Sequence, residues 1–378
     1  MPDNAGGFGT RIYFIPNSGM DLKSSQILKG GGYATINLKG AHYRSDGNLW
    51  QQIFGGSDKV TLSTQITHTS AHSSVSSASI EETRQIGVGH PYYFGSNRAV
   101  ALDLPTDCDA IGMSVAMSAV KNDNLSGALN ILNSDELKGT LQLAPPAVSS
   151  ALAVANVVKK LLTNTDPQSS LQAEYDGRVS VGASDNPIRD YCLAQGTIIL
   201  IYRESDNDTS LDDLDPAKLT TDGDGLKYDG TVLANTYVMF QVSYAALRGE
   251  DPSAPWYSSF STAEQSLESL VTAANDSDKQ KIWAAALATY QEGLKSLLSD
   301  PTYTQSEAKG IAATHLSTLR QKYADLSGQP KPAVTKTFLL REATIQETLL
   351  SDDVDKIAQD YRSRLARSSV SLAGPLRK

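Results

Sequence analysis

The sequence predicts an α+β protein, in which an antiparallel β-sandwich-like N-terminal domain with a helical insertion is followed by a C-terminal helical region. Short segments rich in β-branched and aromatic residues, bounded by Gly, Asn, Asp or Pro, recur over 10–244. After the turn-forming run at 249–255, apolar residues recur instead at helical spacing. A chain of 378 residues is also longer than one core usually supports. We therefore expect more than one domain.

Seven segments have the pattern of β-strands. In the clearest, 59–69, Val60, Leu62, Thr64 and Ile66 alternate with polar residues, as expected of a half-buried antiparallel strand. Segment 197–203 is instead almost continuously apolar, which predicts a strand covered on both faces. The remaining segments are 10–15, 33–38, 98–104, 178–182 and 236–244. Several short strands separated by turn signals favour a sandwich.

A helical insertion is predicted within this β-rich domain, at about 114–162. Pro145 and Pro146 precede a stripe of apolar residues at helical spacing, and proline suits the first turn of a helix. The front of the insertion is ambiguous, because the apolar residues between 113 and 120 fit either a strand or a short helix.

Three amphipathic helices are predicted over 256–327, where they would form a hairpin or small bundle. Two pairs of residues have the spacing of a capping box, in which a hydroxyl and a carboxylate satisfy the first N–H groups of a helix. Ser261 with Glu264 predicts the start of the first helix, and Thr304 with Glu307 predicts the start of the third.

A linker follows the three helices, since Gly328, Pro330 and Pro332 disfavour continued helix. A last helix is predicted at about 344–367. The predicted domains are thus a β-rich domain at 1–250, a helical hairpin or bundle at 256–327, and a C-terminal helix with a basic tail at 337–378.

Composition excludes several classes of protein. A net charge of −9 and a pI near 5.1 make nucleic-acid binding an unfavoured function. Cys108 and Cys192 are isolated, so neither zinc spacing nor a disulfide framework is expected. Since the sequence also lacks a signal-peptide core and an apolar run of transmembrane length, we expect a cytoplasmic protein.

The segment 204–230 concentrates the negative charge of the chain. It contains nine carboxylates against two lysines, a net charge of −7. Hard cations such as Ca²⁺ prefer oxygen ligands, so this segment is a candidate cation site. The candidate ligands are Asp206, Asp208, Asp222, Asp224 and Asp229.

The alternative without a bound cation is that this segment is a solvated acidic loop that lies outside the core. An EF-hand does not fit, because Leu211 occupies the glycine position and Ala217 the position of the bidentate glutamate. Asp-Gly pairs are also a frequent hairpin signal, which would account for several of the aspartates without any cation. Ca²⁺ is the cofactor to be tested, and no other cofactor is expected.

His68 and His72 are the closest pair of histidines, and either a strand or a helix places both on one face. Two imidazoles make an incomplete metal site, so a hydrogen-bonded pair at a sheet edge is the simpler interpretation. Positions 61–80 contain eleven hydroxyl residues. This is typical of an exposed or edge strand, or of a stored membrane hairpin, although the apolar alternation ends after Ile66.

The C-terminus carries a cluster of positive charge. Acidic residues precede it, which is the arrangement favoured by the helix dipole, although docking of this tail on an acidic surface is the functional alternative. The basic residues are Arg362, Arg364, Arg367, Arg377 and Lys378.

We expect a non-enzymatic binding or assembly protein, which uses loops of the β-rich domain for recognition and the helices for packing or oligomerisation with a protein partner or a second copy. The sequence has no P-loop, nucleophile elbow, zinc-protease or kinase motif, which lowers the expectation of an enzyme. A membrane-active or cation-regulated protein is the first alternative. A hydrolase that uses His42 or His90 with a nearby aspartate is the second.

Overall fold

The structure is a computed structural model that describes residues 9–44, 59–69, 74–80, 84–85, 92–120, 170–184, 192–203, 209–222, 225–331 and 354–372. Antiparallel strand pairs and four α-helices in these residues confirm the predicted α+β class. The chain divides into two compact units. Unit 1 comprises Met1–Lys29 and Ala34–Tyr244, and unit 2 comprises Gly30–Tyr33 and Ala245–Lys378.

The described strands lie in unit 1, apart from Tyr33, the first residue of β2, and Ala245, the last residue of β13. In chain order they are β1 (Gly9–Pro16), β2 (Tyr33–His42), β3 (Lys59–Thr69), β4 (Ser74–Ile80), β5 (Arg84–Gln85), β6 (Tyr92–Pro105), β7 (Ala110–Val120), β8 (Ser170–Ser180), β9 (Gly196–Arg203), β10 (Leu219–Asp222), β11 (Gly225–Tyr228), β12 (Thr231–Val232) and β13 (Thr236–Ala245).

The first sheet has the strand order β1-β9-β13-β2-β6. Its strand β9 pairs antiparallel with β1 on one side and with β13 on the other, so that Leu200 faces both Ile12 and Val238. The first six residues of β9 are all buried. This agrees with the predicted strand covered on both faces, because alternate side chains of a strand point to opposite faces of its sheet.

The second sheet has the order β4-β3-β7-β8, and β5 also pairs with β3. Strand β3 has the predicted bounds, but it is an internal strand and not an edge strand, since it pairs with both β4 and β7. The edge of this sheet is β4, within the segment predicted to be a connection. The hydroxyl residues of β3 therefore belong to an internal strand of the sheet.

The predicted helical insertion at 114–162 is wrong at its front end, where 114–120 belong to strand β7. Met113, Val115 and Met117 alternate along β7 and are all buried, so the period of two residues is the one that the fold uses. The rest of the predicted insertion, 121–162, lies outside the described residues.

One apolar cluster takes residues from both of these sheets. From the first sheet it includes Ile36 of β2 and Phe240 of β13, and from the second it includes Leu62 of β3, Met113 of β7 and Val179 of β8. The alternating patterns that identify the strands therefore also identify the core of unit 1.

The described part of the acidic segment, 209–222 and 225–230, is folded and is not the solvated loop outside the core that its charge suggests. Its described residues include strands β10 and β11, which form a third sheet with β12. Between the aspartates lie apolar residues that are buried against the second face of β9 and β13. This second apolar cluster contains Tyr13, Ile199, Ile201, Leu211, Leu214, Leu219, Leu226, Leu233, Tyr237 and Met239. The segment covers β9 with its leucines, and its described carboxylates are exposed to solvent.

Asp229 and Gly230 form the two-residue turn between β11 and β12, since Tyr228 pairs directly with Thr231. Both turn residues have positive φ angles, 51° and 80°. This is the geometry that tight hairpins require and that Asp-Gly favours. At this position the turn interpretation of the acidic segment is confirmed.

Unit 2 contains the four described helices: α1 (Pro255–Ser266), α2 (Asp276–Leu298), α3 (Gln305–Ser327) and α4 (Val354–Leu372), with a 3₁₀ turn, Leu267–Thr272, after α1. Their shared core includes Trp256, Phe260 and Tyr290. No described helix combines the length and the apolar character needed to cross a membrane.

Of the two helix starts predicted from capping boxes, one is confirmed and the other is wrong. Thr304 precedes α3 and accepts a hydrogen bond from the Glu307 N–H at 3.1 Å, which confirms the predicted start of that helix. Helix α1 instead begins at Pro255, where proline occupies the first turn, so the predicted start at Ser261 is wrong. Of the predicted last helix, 344–353 lie outside the described residues and the remainder belongs to α4.

Candidate functional site

A polar groove of about 850 Å³ lies between α3 and α4 of unit 2. Both walls carry side chains that donate and accept hydrogen bonds. The wall from α3 contains Ser317, Thr318, Gln321, Lys322 and Asp325, the wall from α4 contains Asp355, Gln359, Arg362, Ser363 and Ala366, and Lys331 lines the groove beyond the end of α3. We call this surface the α3–α4 groove.

The groove exists because α4 packs against α3 through one narrow face. Val354, Ala358 and Tyr361 recur at helical spacing on α4, and all three are buried. Gly310 on α3 allows the close approach, since a Cβ atom at this position would lie 2.6 Å from Cδ2 of Tyr361. The neighbouring face of α4, which includes Arg362, is thereby held along the groove.

We expect Gly310→Ala to destabilise unit 2 by about 1–3 kcal/mol, because the new methyl group would overlap the Tyr361 ring. Helix propensity acts in the opposite direction, since alanine is favoured over glycine inside a helix by about 1 kcal/mol. Urea denaturation of the full chain, followed by tryptophan fluorescence, measures the net change in free energy of unfolding. A stabilised variant would contradict the close contact between α3 and α4.

Most of the charged groups in the groove are paired. Asp355 accepts hydrogen bonds from Ser317 Oγ at 2.6 Å and from Lys331 Nζ at 3.4 Å. The Ser317 bond is the main reason that the pKa of Asp355 is lowered. Lys322 pairs with Glu268 at 3.3 Å, and Asp325 accepts from the Gln321 side chain at 2.8 Å. These groups stabilise one another and fix the walls.

Arg362 is the exception among the cations of the groove. Its guanidinium donates to Thr318 Oγ1 at 3.1 Å, and it has no carboxylate partner among the described residues. A guanidinium presents a planar fork of N–H donors, which matches the two oxygens of a carboxylate. Arg362 is also exposed, as are Arg364 and Arg367 on the same helix. The groove therefore contains a cation that is available to an acidic ligand.

The predicted cation ligands are only partly described. Asp222 pairs with Lys227 Nζ at 2.6 Å, and Asp229 pairs with Lys218 Nζ at 3.4 Å. Asp206, Asp208 and Asp224 lie outside the described residues. Among the residues that are described, no group of three or more histidine, cysteine or acidic side chains is arranged to hold a metal ion. A Ca²⁺ site at these five aspartates stays a prediction.

The histidines predicted as candidates differ in their surroundings. His42 lies with Nδ1 2.7 Å from the Asn235 carbonyl oxygen, and its ring stacks on Tyr237 at 5.2 Å. His68 is fully buried in unit 1, and neither ring nitrogen has a hydrogen-bond partner. His72 and His90 lie outside the described residues.

Sequence reasoning missed the environment of His315 on α3. Its Nδ1 lies 2.8 Å from Glu264 Oε1, and its Nε2 lies 3.3 Å from Glu250 Oε2. The ring also stacks on Phe260 at 4.6 Å. Burial disfavours a charged ring, but the hydrogen bonds to both carboxylates outweigh it and raise the pKa of His315 to about 9. At neutral pH this imidazolium is a stabilising link between α1 and α3.

Glu307 was predicted only as part of a capping box, yet its carboxylate joins several parts of unit 2. The side chain is buried, with the residue 1% exposed. It accepts hydrogen bonds from the backbone N–H groups of Arg248 at 3.0 Å and Gly249 at 2.8 Å, and from the Tyr361 hydroxyl at 3.3 Å. A hydrogen bond with the Tyr33 hydroxyl adds to these. A buried carboxylate requires such a set of donors.

Cys108 and Lys39 are two other side chains of reactive types, and their surroundings favour a structural role. Burial raises the pKa of the Cys108 thiol to about 11, so it stays protonated at neutral pH and is a poor nucleophile. Lys39 is half-buried, which lowers its pKa, and its ammonium donates to the hydroxyls of Thr197 at 3.3 Å and Thr221 at 3.1 Å. The latter contact ties the acidic segment to the first sheet.

Comparison with known proteins gives no family, since no family model, curated protein or solved structure matches the chain. A functional assignment must therefore come from the chemistry of the described residues. Of the surfaces above, the α3–α4 groove is the one that combines volume, exposure and an unneutralised charge.

Proposed function

We propose that this chain is a non-enzymatic binding or assembly protein, and that the α3–α4 groove binds a protein segment that carries a carboxylate. The observation that supports the proposal is Arg362, an exposed guanidinium in an open groove where the lysines are paired with carboxylates. A carboxylate that enters the groove would form a bidentate, charge-assisted pair with it.

A polypeptide suits this groove better than a small molecule does. Small-molecule sites are lined mainly by apolar and aromatic side chains. The α3–α4 groove is lined instead by hydroxyls, amides and charges of both signs, and Ala366 is the apolar side chain among them. An extended or helical segment brings backbone and side-chain groups of both hydrogen-bonding types, which is the chemistry of a polar protein interface.

In the same proposal, unit 1 is a sandwich-like scaffold whose loops contribute to recognition. The shared apolar cluster of the two sheets supports this arrangement. A cytoplasmic location accompanies the proposal, because the two cysteines are free and disulfides are uncommon in that compartment. The surroundings of the described histidines favour binding over catalysis, since His315 is engaged by two carboxylates and His68 is enclosed in the core.

Selection of random peptides displayed on phage against the immobilised full-length protein tests the proposal without a known partner. We expect the selected peptides to be enriched in Asp and Glu. Their affinity should fall about tenfold or more in Arg362→Ala, the loss expected when a charge-assisted pair is removed. Fluorescence anisotropy with a labelled selected peptide measures this change.

Arg367→Ala is the matched control, because it removes the same charge from the same helix at an exposed position that does not line the groove. We expect it to retain nearly all of the peptide affinity. Equal losses in the two variants would indicate general electrostatic attraction to α4. Full affinity in Arg362→Ala, or peptides without acidic residues, would refute a carboxylate site in the groove.

A further inference from the structure

His68 occupies an unfavourable position in the core of unit 1. It lies on the inner face of β3, where Leu62, Thr64 and Ile66 are also buried. The residue has no exposed surface, and both ring nitrogens lack a hydrogen-bond partner. A neutral imidazole has one donor and one acceptor, and leaving both unsatisfied away from water costs free energy. This cost is incurred in the native state whenever β3 is fully packed.

The unsatisfied ring lies where the sheet can open most easily. His68 pairs with Val75 of β4 on one side and with Ile111 of β7 on the other, next to the end of the β3–β4 pair, where Thr69 meets Ser74. Strand β4 is the edge of its sheet, so β3 is its only partner in the described strand order. An edge strand can separate without disruption of the strand pairs on the other side of the sheet.

Among the residues that the structure describes, few ionisable groups act on the ring. The sequences of β4 and β7 contain none. Asp107, between β6 and β7, is the carboxylate that acts on His68, and the Pro105 carbonyl also favours the protonated ring, although it does not complete a hydrogen bond of normal geometry. Burial outweighs both and lowers the pKa of His68 below its ordinary value of 6.5. Protonation is therefore opposed in the packed state and favoured once the ring reaches water.

We propose that His68 makes the β3–β4 pair an acid-operated latch: protonation of the ring releases the edge strand β4 and gives water access to the inner face of β3. The released edge of β3 would offer unpaired backbone groups to another strand. His68 belongs to unit 1 and the α3–α4 groove to unit 2, so the test of the latch does not use the proposed peptide site.

The direction of the pH dependence follows from the proton affinities of the closed state, in which β4 is paired with β3, and the open state, in which it is released. The open state binds a proton near pH 6.5, and the closed state does so only at lower pH. The closed state is therefore favoured above this value, and it loses stability as the pH falls below it, because the open state then binds more protons. Each pH unit within this window changes the ratio of open to closed molecules by at most about tenfold.

Hydrogen exchange of the full-length protein, detected by mass spectrometry and corrected for the intrinsic pH dependence of exchange, tests the latch. We expect peptides that cover 59–80 to lose protection by up to about 25-fold between roughly pH 7 and pH 5. Peptides from β9 and β13 should keep their protection, since the first sheet does not pair with β4.

Two variants assign the effect to His68. His68→Leu removes the unsatisfied nitrogens and the titrating group, so protection of 59–80 should be independent of pH in this range. His68→Gln is neutral at every pH and serves the same purpose if the leucine variant does not fold. His72→Gln removes a histidine close in sequence, and it should retain the acid response.

The latch is overturned if wild-type protection of 59–80 is unchanged at about pH 5, where an exposed histidine is protonated. It is also overturned if His68→Leu or His68→Gln shows the same acid response as the wild type. Simultaneous loss of protection in β9 and β13 would mean that unit 1 unfolds as a whole, which contradicts a local release of β4.

Discussion

Replacement of Glu307 by glutamine is expected to lower the free energy of unfolding of unit 2 by about 3–5 kcal/mol. The carboxylate is buried and accepts hydrogen bonds from the N–H groups of Arg248 and Gly249. An amide retains one acceptor oxygen and replaces the other by an NH₂ group that cannot accept. At least one buried donor would therefore lose its partner and face another donor.

The expected effects of Glu307→Gln extend beyond the start of α3. The Tyr361 hydroxyl, which comes from α4, approaches the same carboxylate at 3.3 Å. The Tyr33 hydroxyl accepts from the Thr304 N–H at 2.9 Å and also meets Glu307. Both phenols have pKa values raised mainly by burial, and the nearby negative charge adds to the effect. They thus remain protonated donors, and the variant would weaken the attachment of both segments.

Urea denaturation followed by tryptophan fluorescence suits this measurement, because Trp256 and Trp283 both lie in unit 2. Glu268→Gln is the matched control. Its carboxylate pairs with Lys322, but its side chain is 71% exposed, so the change should cost less than about 1 kcal/mol. A loss below about 1 kcal/mol for Glu307→Gln would contradict the buried network and leave Glu307 as an ordinary helix cap.

The strands could be predicted from sequence because their signal is local. In 59–69 the period of two residues is uninterrupted, and β3 has the predicted bounds. The same reasoning failed for 114–120, where small and apolar residues fit both periods, and the fold selects the strand by pairing it with β3 and β8. Pairing between segments distant in sequence is information that a single segment does not contain.

The acidic segment shows a second limit of prediction from sequence. Its charge dominates any local average, yet Leu211, Leu214, Leu219 and Leu226 decide its structure because they bury against β9 and β13. The continuously apolar β9 was the sequence signal that something had to cover its second face. Residues that follow β9 in the chain cover this face, and the described aspartates among them are exposed.

The polar network of unit 2 could not be predicted, because its hydrogen bonds join residues that are distant in sequence. Glu264 was assigned to a capping box, but α1 begins earlier and the carboxylate meets His315, 51 positions further along the chain. Thr304 caps α3 as predicted by accepting from the Glu307 N–H, while the Glu307 side chain accepts from Arg248, Gly249 and Tyr361. Short motifs fix the backbone at a helix end, but they do not specify the partner of a free carboxylate.

Unit 2 is expected to lose stability as the pH rises from about 6.5 to about 9, through deprotonation of His315. In the folded state the ring is hydrogen-bonded to Glu250 and Glu264, which raises its pKa to about 9 from an ordinary value of 6.5. Between these values the folded state binds more protons than the unfolded state does. The contribution of His315 is therefore complete below pH 6.5 and is lost as the pH approaches 9.

The size of this contribution follows from the shift in pKa. Each unit corresponds to about 1.4 kcal/mol, so the full shift gives an upper value of about 3 kcal/mol. The ring is 13% exposed, whereas the two carboxylates are 25% and 26% exposed, so some screening by solvent reduces it. We expect a measured change of about 2 kcal/mol across the window.

His315→Gln isolates the effect, because every other titrating group is shared with the wild type. The difference in free energy of unfolding between wild type and variant should fall by about 2 kcal/mol as the pH rises from about 6.5 to 9, measured by urea denaturation at each pH. A difference that is constant with pH would mean that His315 is not charged in the folded state. A difference that grows with pH would place its folded pKa below 6.5, the direction found for the buried and unpartnered His68. The presence or absence of carboxylate partners is thus expected to give these two histidines opposite responses to acid.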